Sequence, residues 1–254
     1  MSGEIHVSRP RAGVVLLEID NPPSNALGLA VRRQLEAELD AIDTDLAVRA
    51  VVLTGRGKGF CSGDDLREAA GRGGEDRSGL GQFGRMLDKV EGLRVPVIGA
   101  INGHAVGGGL ELALCCDIRL AAPEARFLAA GVNVGLMASV YRLPRLVGTA
   151  AASAMILTGS PIDAARALAI GLVTEVRVAP DLQGAALDLA ERIASRAPLS
   201  VEASKRMIRQ AFDLTAVAAR DASGRELAVL TRSHDHREGV AAFVAKRPPV
   251  FTRT

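Results

Sequence analysis

Glu111 is the only acidic residue between Glu91 and Asp117, and every other residue from Leu110 to Cys116 is apolar. A carboxylate in such a run is costly unless a partner or a reaction uses it. Immediately before it stands Gly107-Gly108-Gly109. Glycines let the main chain approach a ligand closely, and a helix opening here presents unpaired first-turn N–H groups that attract developing negative charge. A carboxylate beside such donors is suited to acid/base work. The plainer alternative is a first-turn acid favoured by the helix dipole, with the glycines serving helix-to-strand packing. Gly108, three residues before Glu111, cannot form the Ser/Thr half of a capping box, which weakens that alternative.

Other chemistries fail on spacing. GHAVGGG lacks the GxGxxG arrangement of a dinucleotide site, and Lys58 in GRGKG is not followed by the Ser/Thr of a phosphate loop. Gly59-Phe60-Cys61-Ser62-Gly63 carries its serine one residue too late for a nucleophile elbow. His6, His104, His234 and His236 show no metal-ligand spacing with cysteine or acid partners, so no metal site is expected.

The elements that must position Glu111 follow from periodicity. Val95 to Ile101 is an apolar run closed by Asn102-Gly103, which predicts a buried strand ending in a turn, and Leu110 to Cys116 predicts a short buried helix. Val14 to Asp20 and Val48 to Thr54 are β-branched, apolar and bounded by turn residues, as strands are. Between them Val31, Leu35, Leu39 and Ile42 repeat at helical spacing. Alternating strands and helices imply an α/β core. Residues 67–84, rich in Gly, Arg, Glu and Asp, read as an exposed mobile loop. After Pro144 helical runs are expected over 149–157, 162–170, 182–195, 199–214 and 235–246, punctuated at Gly159, Pro161, Gly171 and Pro198.

Composition narrows the partners. With 31 basic and 29 acidic residues the net charge is +2, which leaves no footprint for nucleic acid or a membrane surface. Aromatics make up 3% of the chain, with Tyr141 the single tyrosine, so there is no stacking platform for bases. The start has no apolar segment of signal-peptide length and no run is long enough to span a bilayer, so a cytoplasmic protein is expected. Cys61, Cys115 and Cys116 are odd in number and lack CxxC spacing; they read as small buried apolar residues in a reducing compartment.

Four stretches, NPPSNAL at 21–27, GRGKGFCSGDDL at 55–66, INGHAVGGGLELALCCDIRLA at 101–121 and EGVAAFVAKRPPVF at 238–251, occur in this order. Together they resemble the motifs of the crotonase superfamily, the enoyl-CoA hydratase/isomerase family, over nearly the whole chain. The resemblance implies an α/β crotonase fold, a repeated ββα superhelix with a C-terminal helical trimerisation region. It divides the chain into 1–195, a core with the acyl-CoA site, and 196–254, a C-terminal helical region. A homotrimer or dimer of trimers is implied with it.

The same resemblance assigns the backbone N–H groups of Asp64 and Gly108 as the donors that hold a thioester oxygen when the acyl group becomes enolate-like. Loss of one donor of this kind costs roughly 3 to 4 kcal/mol. It places coenzyme A, as the thioester part of the substrate and with no further cofactor, against the backbone of Ala26 and Leu27 and the turn Asp64, Asp65 and Leu66. Lys58 and Arg67 stand near the entrance, where ordinary solvated charge is the plainer role, and Lys205 and Lys246 occupy helical positions similar to family ones. Glu111 matches the first of two glutamates that hydratases of this family arrange around a water. The second falls on or near Gly131, and no acid occurs from Ala125 through Ile162. The loop before RLPR is about three residues shorter than in the family pattern.

Three functions are therefore carried: a hydratase-like lyase using Glu111, an acyl-CoA isomerase or decarboxylase with the same oxyanion hole, and a non-catalytic acyl-CoA-binding protein. Glu111 favours an enzyme, and the absent partner favours the second or third. Asn133, Ser139 and Tyr141 are the nearby polar candidates for the side lacking the acid.

Overall fold

The computed structural model describes residues 3–65, 68, 78–178 and 181–254. Six strands form the larger sheet, in the order β1 (Glu4–Arg11), β2 (Val14–Asp20), β4 (Ala50–Gly55), β7 (Val97–Ile101), β9 (Ile118–Ala121) and β12 (Glu175–Val176). Only the β1–β2 pair is antiparallel. A four-stranded sheet runs β11 (Ile162–Asp163), β10 (Arg126–Leu128), β8 (His104–Val106), β5 (Gly59–Cys61). The remaining pair is β3 (Ala26–Leu27) with β6 (Gly63–Asp64).

The expected repeat is visible in this connectivity. Strands β4, β7 and β9 each enter the larger sheet, and β5, β8 and β10 after them enter the smaller one. Each such pair is followed by a helix: α2 (Ser78–Gly92), α3 (Gly108–Cys115) and α4 (Arg142–Thr158). The turn before them is β2, β3 and α1 (Leu29–Thr44). Consecutive turns lay strands side by side in parallel, so the chain advances as a spiral.

The larger sheet is apolar on both faces because both are covered. Val15, Leu17 and Ile19 of β2, Val51 and Leu53 of β4, and Val97 and Ile101 of β7 join one core with Val31, Leu35, Leu39 and Ile42 of α1. The alternate residues Val14, Leu16, Ala50, Val52, Ile98 and Ala100 join a second core. There they meet Leu182, Ala186, Leu187 and Ala190 of α6 (Asp181–Ala194), which follows the short α5 (Ala164–Ala169).

Several expectations need correction. Helix α2 begins at Ser78, so the exposed loop expected over 67–84 ends sooner than the composition suggested; residues 66–67 and 69–77 lie outside the described residues. Helix α7 (Pro198–Arg209) stops five residues short of the expected 214, and α8 (Ala216–Leu230) was not foreseen at all because it buries none of its residues. The chain closes with α9 (His234–Val244). The 196–254 region is tied to the core by Glu202, buried between Arg94 at 2.5 Å and Arg253 at 2.9 Å, and by Arg49 donating to the Phe251 carbonyl at 2.9 Å. Among the described residues no helix is long and apolar enough to cross a membrane.

Candidate active site

The two glycine-bearing motifs meet backbone to backbone. Strand β5 turns through Gly63, whose φ of +87° suits glycine, into β6 beneath the start of α3. A β-carbon on Gly63 would lie 2.5 Å from the Gly108 nitrogen, and one on Gly109 would lie 2.0 Å from the Cys61 carbonyl oxygen. Side chains at these positions would therefore drive the motifs apart. Gly107, the residue before α3, supplies no side-chain cap, and Glu111 N–H is the first-turn donor that returns to the Gly107 carbonyl, at 3.0 Å. Ala26 and Leu27 pair in parallel with Gly63 and Asp64. The structure thus brings Ala26, Leu27, Asp64 and Gly108 into one wall, with Asp65 half-buried at its end. Leu66 and Arg67 lie outside the described residues.

Behind this wall sits a residue that the sequence reading missed. Arg32 of α1 is wholly buried. Its Nε donates to the Leu27 carbonyl at 2.6 Å, its Nη2 donates to the Asp64 carboxylate, and its guanidinium lies 5.0 Å from the centroid of the Phe83 ring. Phe83 in turn fills the space over Gly108, where an added β-carbon would come within 2.4 Å of the ring.

Glu111 is 13% exposed, and its Oε2 lies 3.5 Å from Nη1 of Arg142. Arg142 is itself fixed by Glu91, which accepts from Nε at 2.9 Å and Nη2 at 2.7 Å, and by Asp88 at 3.2 Å. Burial works against the guanidinium charge. It is outweighed by the Cys115 sulfur where that thiol ionises and by Glu91 and Glu111, so the pKa of Arg142 is raised. Burial also pushes the Cys115 thiol up, and drives Cys61 and Cys116 to about 12, so none of the three is a thiolate near neutral pH. Glu91 and Arg142 further line a groove of about 520 Å³ with Leu114, Val201 and Phe212; Ala26, Leu27, Asp64, Gly108 and Glu111 are not part of its lining.

Gly131 is buried in a 3-10 helix (Ala130–Val134) with no space for a side chain. A β-carbon there would lie 2.8 Å from the Leu136 carbonyl oxygen and 2.9 Å from the Ala138 nitrogen. The Leu136 to Ala138 segment stands over the position. Of the three polar candidates in that loop, Asn133 donates to the Gly159 carbonyl at 2.9 Å, and Tyr141 is exposed, with the Arg145 guanidinium 4.7 Å from its ring centroid. Ser139 differs from both: it is buried, has φ +61°, and its hydroxyl has no hydrogen-bond partner among the described residues.

The remaining cations separate into structural and exposed groups. Lys205 is buried and donates to the Val95 carbonyl at 2.9 Å beside Asp117 at 2.8 Å, a structural role. Lys58 and Lys246 are exposed. Glu4, His6 and Asp20 cluster on the surface, but Nη1 of Arg56 lies 2.9 Å from the same His6 nitrogen that faces both acids, a position where a metal ion would be repelled.

Comparison with known proteins agrees with this architecture. The family model described as enoyl-CoA hydratase/isomerase matches residues 9–254. The 2,3-dehydroadipyl-CoA hydratase of Escherichia coli (strain K12) is 35% identical over 253 residues, covering 98% of each chain. The short-chain-enoyl-CoA hydratase of Clostridium acetobutylicum is 34% identical over 240 residues, covering 92% of each. Among solved structures, that of an enoyl-CoA hydratase from Bacillus anthracis superposes with a TM-score of 0.96 at 34% identity, covering 98% of this chain and 99% of that one.

Proposed function

The chain belongs to the enoyl-CoA hydratase/isomerase family, and on that premise we propose that it adds water across the 2,3 double bond of an enoyl-CoA thioester using a single carboxylate. The observation that supports this reading is the close backbone approach of Gly63, the residue before Asp64, to Gly108. Coenzyme A runs along Ala26, Leu27, Asp64, Asp65 and Leu66. The thioester oxygen accepts from the N–H of Asp64 and of Gly108, which bind it more tightly as it gains negative charge.

Glu111 then handles every proton. Its carboxylate takes a proton from water as the water oxygen bonds to C3, and the electron pair of the double bond moves onto the thioester oxygen. The same carboxyl group returns the proton to C2 as the carbonyl reforms. Arg142 holds Glu111 from behind while Ser139, the one buried polar side chain of its loop without a partner, offers a hydroxyl to the water. A one-carboxylate relay must turn between two tasks that two acids share, so hydration is slow compared with two-glutamate relatives.

A second reading draws on the closed space over Gly131. A lone carboxylate suffices to move a proton between two carbons of an acyl-CoA, so an isomerase needs no second acid at that position. Turnover of crotonyl-CoA and of a 3-enoyl-CoA by the same preparation decides between them. Loss of the enoyl absorbance of crotonyl-CoA supports hydration; its appearance from the 3-enoyl thioester supports isomerisation. Tight binding without either reaction supports a non-catalytic acyl-CoA protein.

The trimer that the resemblance implies belongs to the same proposal. The stripe Leu182, Ala186, Leu189 and Ile193 packs on the chain's own sheet. Apolar side chains left uncovered elsewhere include Ile208, Phe212, Val217, Leu227, Val229, Phe243 and Val244 of the 196–254 region, all more than half exposed. We assign the 196–254 region to assembly, in a trimer or dimer of trimers in a reducing, cytoplasmic setting. Light scattering should give three or six times 26.5 kDa, and a monomer at micromolar concentration would remove this part of the reading.

A further inference from the structure

We infer that Arg32 is a positioning residue of the thioester site, one that fixes the two backbone donors and cancels the charge of the Asp64 side chain. The inference rests on the assignment of Asp64 and Gly108 as the donors. A fully buried guanidinium is costly unless it is paired and hydrogen-bonded, so its contacts show what it is kept for. Among the described residues, the contacts it makes belong to the site. Nε holds the Leu27 carbonyl of β3 at 2.6 Å, Nη2 holds the Asp64 carboxylate of β6, and the guanidinium lies 5.0 Å from the Phe83 ring, which closes on Gly108. One side chain therefore touches the strand proposed to hold coenzyme A, one donor residue, and the ring that abuts the other.

The charge argument is sharper than the packing argument. Asp64 carries a carboxylate on the same residue whose N–H must meet a growing negative charge. Unneutralised, that carboxylate repels the enolate through a few ångströms of poorly solvated protein. Its side chain is 22% exposed, so water screens it only in part, and the guanidinium supplies the opposite charge. Pinned in this way, Asp64 is held for structure and charge balance, and its carboxylate is occupied as an acceptor.

The test uses the full-length protein with four substitutions: Arg32→Met, Arg32→Gln, Asp64→Ala and the double Arg32→Met/Asp64→Ala. Each is first shown to be folded by circular dichroism and thermal unfolding. The readouts are kcat for crotonyl-CoA and the red shift in the absorption of a bound 3-aryl-enoyl-CoA, which reports how strongly the donors polarise the thioester carbonyl. Arg32→Met and Arg32→Gln should lower kcat at least 50-fold and remove most of the red shift. Asp64→Ala should cost less than tenfold. The double variant should regain at least half of the shift and run at least fivefold faster than Arg32→Met, because the repelling carboxylate is gone.

If Arg32→Met does not fold, the Gln and double variants carry the same comparison. A wild-type shift retained in the Arg32 variants overturns the proposal. A double variant with no more shift than Arg32→Met also overturns it, leaving a purely structural arginine. Absence of any shift in the unsubstituted protein defeats the donor assignment itself, and the inference falls with it.

Discussion

The two sides of the candidate site are built from different material. The wall proposed to meet the thioester oxygen is main chain, Gly63-Asp64 against Gly108, with Arg32 and Phe83 packed behind it. The side proposed to handle protons is made of side chains: Glu111, the Arg142 that braces it, and a loop packed over Gly131. A backbone wall does not depend on which side chains its residues carry, because each non-proline residue brings the same N–H donor. A side-chain wall changes its chemistry with each replacement. On the proposed reading, activation of the thioester and choice of reaction are thereby separable.

The largest effect is expected where the backbone wall is pushed apart. Gly108→Val sets a branched side chain against Phe83, 2.4 Å from the first added carbon, and against the Gly63 α-carbon at 3.1 Å. Steady-state kinetics should show kcat/KM reduced by about 10²- to 10³-fold, the range for loss of one oxyanion donor. An unchanged value would remove Gly108 from the site.

Restoring the family acid should fail, which sharpens the contrast from the other side. Gly131→Glu places a side chain where the Leu136 carbonyl and the Ala138 nitrogen already stand within 3 Å. Overpacking of this kind costs about 1 to 3 kcal/mol, read as a lower urea midpoint, with crotonyl-CoA hydration no faster than in the parent. Faster hydration would mean that the loop yields and the proton side is not closed.

These two walls were not equally legible in the sequence. The glycine triplet, Glu111 and the apolar strands could be read because local spacing alone specifies them: β2 spans Val14–Asp20 as expected, and α1 buries Val31, Leu35, Leu39 and Ile42. Arg32 could not be read, since an arginine beside a hydrophobic stripe is usually solvated, and its partner Asp64 is distant in sequence. Arg142 was hidden for the same reason, its partners Glu91 and Glu111 lying on two other helices. Strand β1 was missed because its residues are largely exposed and only the pairing with β2 defines it. Helix α8 buries no residue and so has no core-facing stripe. The closure over Gly131 depends on where a shortened loop comes to rest, which spacing cannot report.

A smaller effect follows from the cysteines. Cys61 lies against Gly109 in the backbone wall, and burial holds its thiol and that of Cys116 at about 12 against an ordinary 9.0. Between these values the unfolded chain has released protons that the folded chain retains, so stability must fall as pH rises from about 9 toward 12. Urea midpoints should be flat from pH 7 to 8 and decline above 9. Cys61→Ala/Cys116→Ala should decline less steeply, and an identical slope would show that these thiols are not the cause.

The separation of the two walls is tested most directly by Glu111→Gln, comparing crotonyl-CoA hydration by loss of enoyl absorbance with butyryl-CoA affinity by calorimetry on the same samples. The account predicts that kcat falls at least 100-fold, within the range of about 10² to 10⁴ for loss of a general acid/base, while Kd for butyryl-CoA changes by less than about threefold, a difference worth under 1 kcal/mol. Hydration that continues near the parent rate, or affinity lost together with turnover, would contradict it.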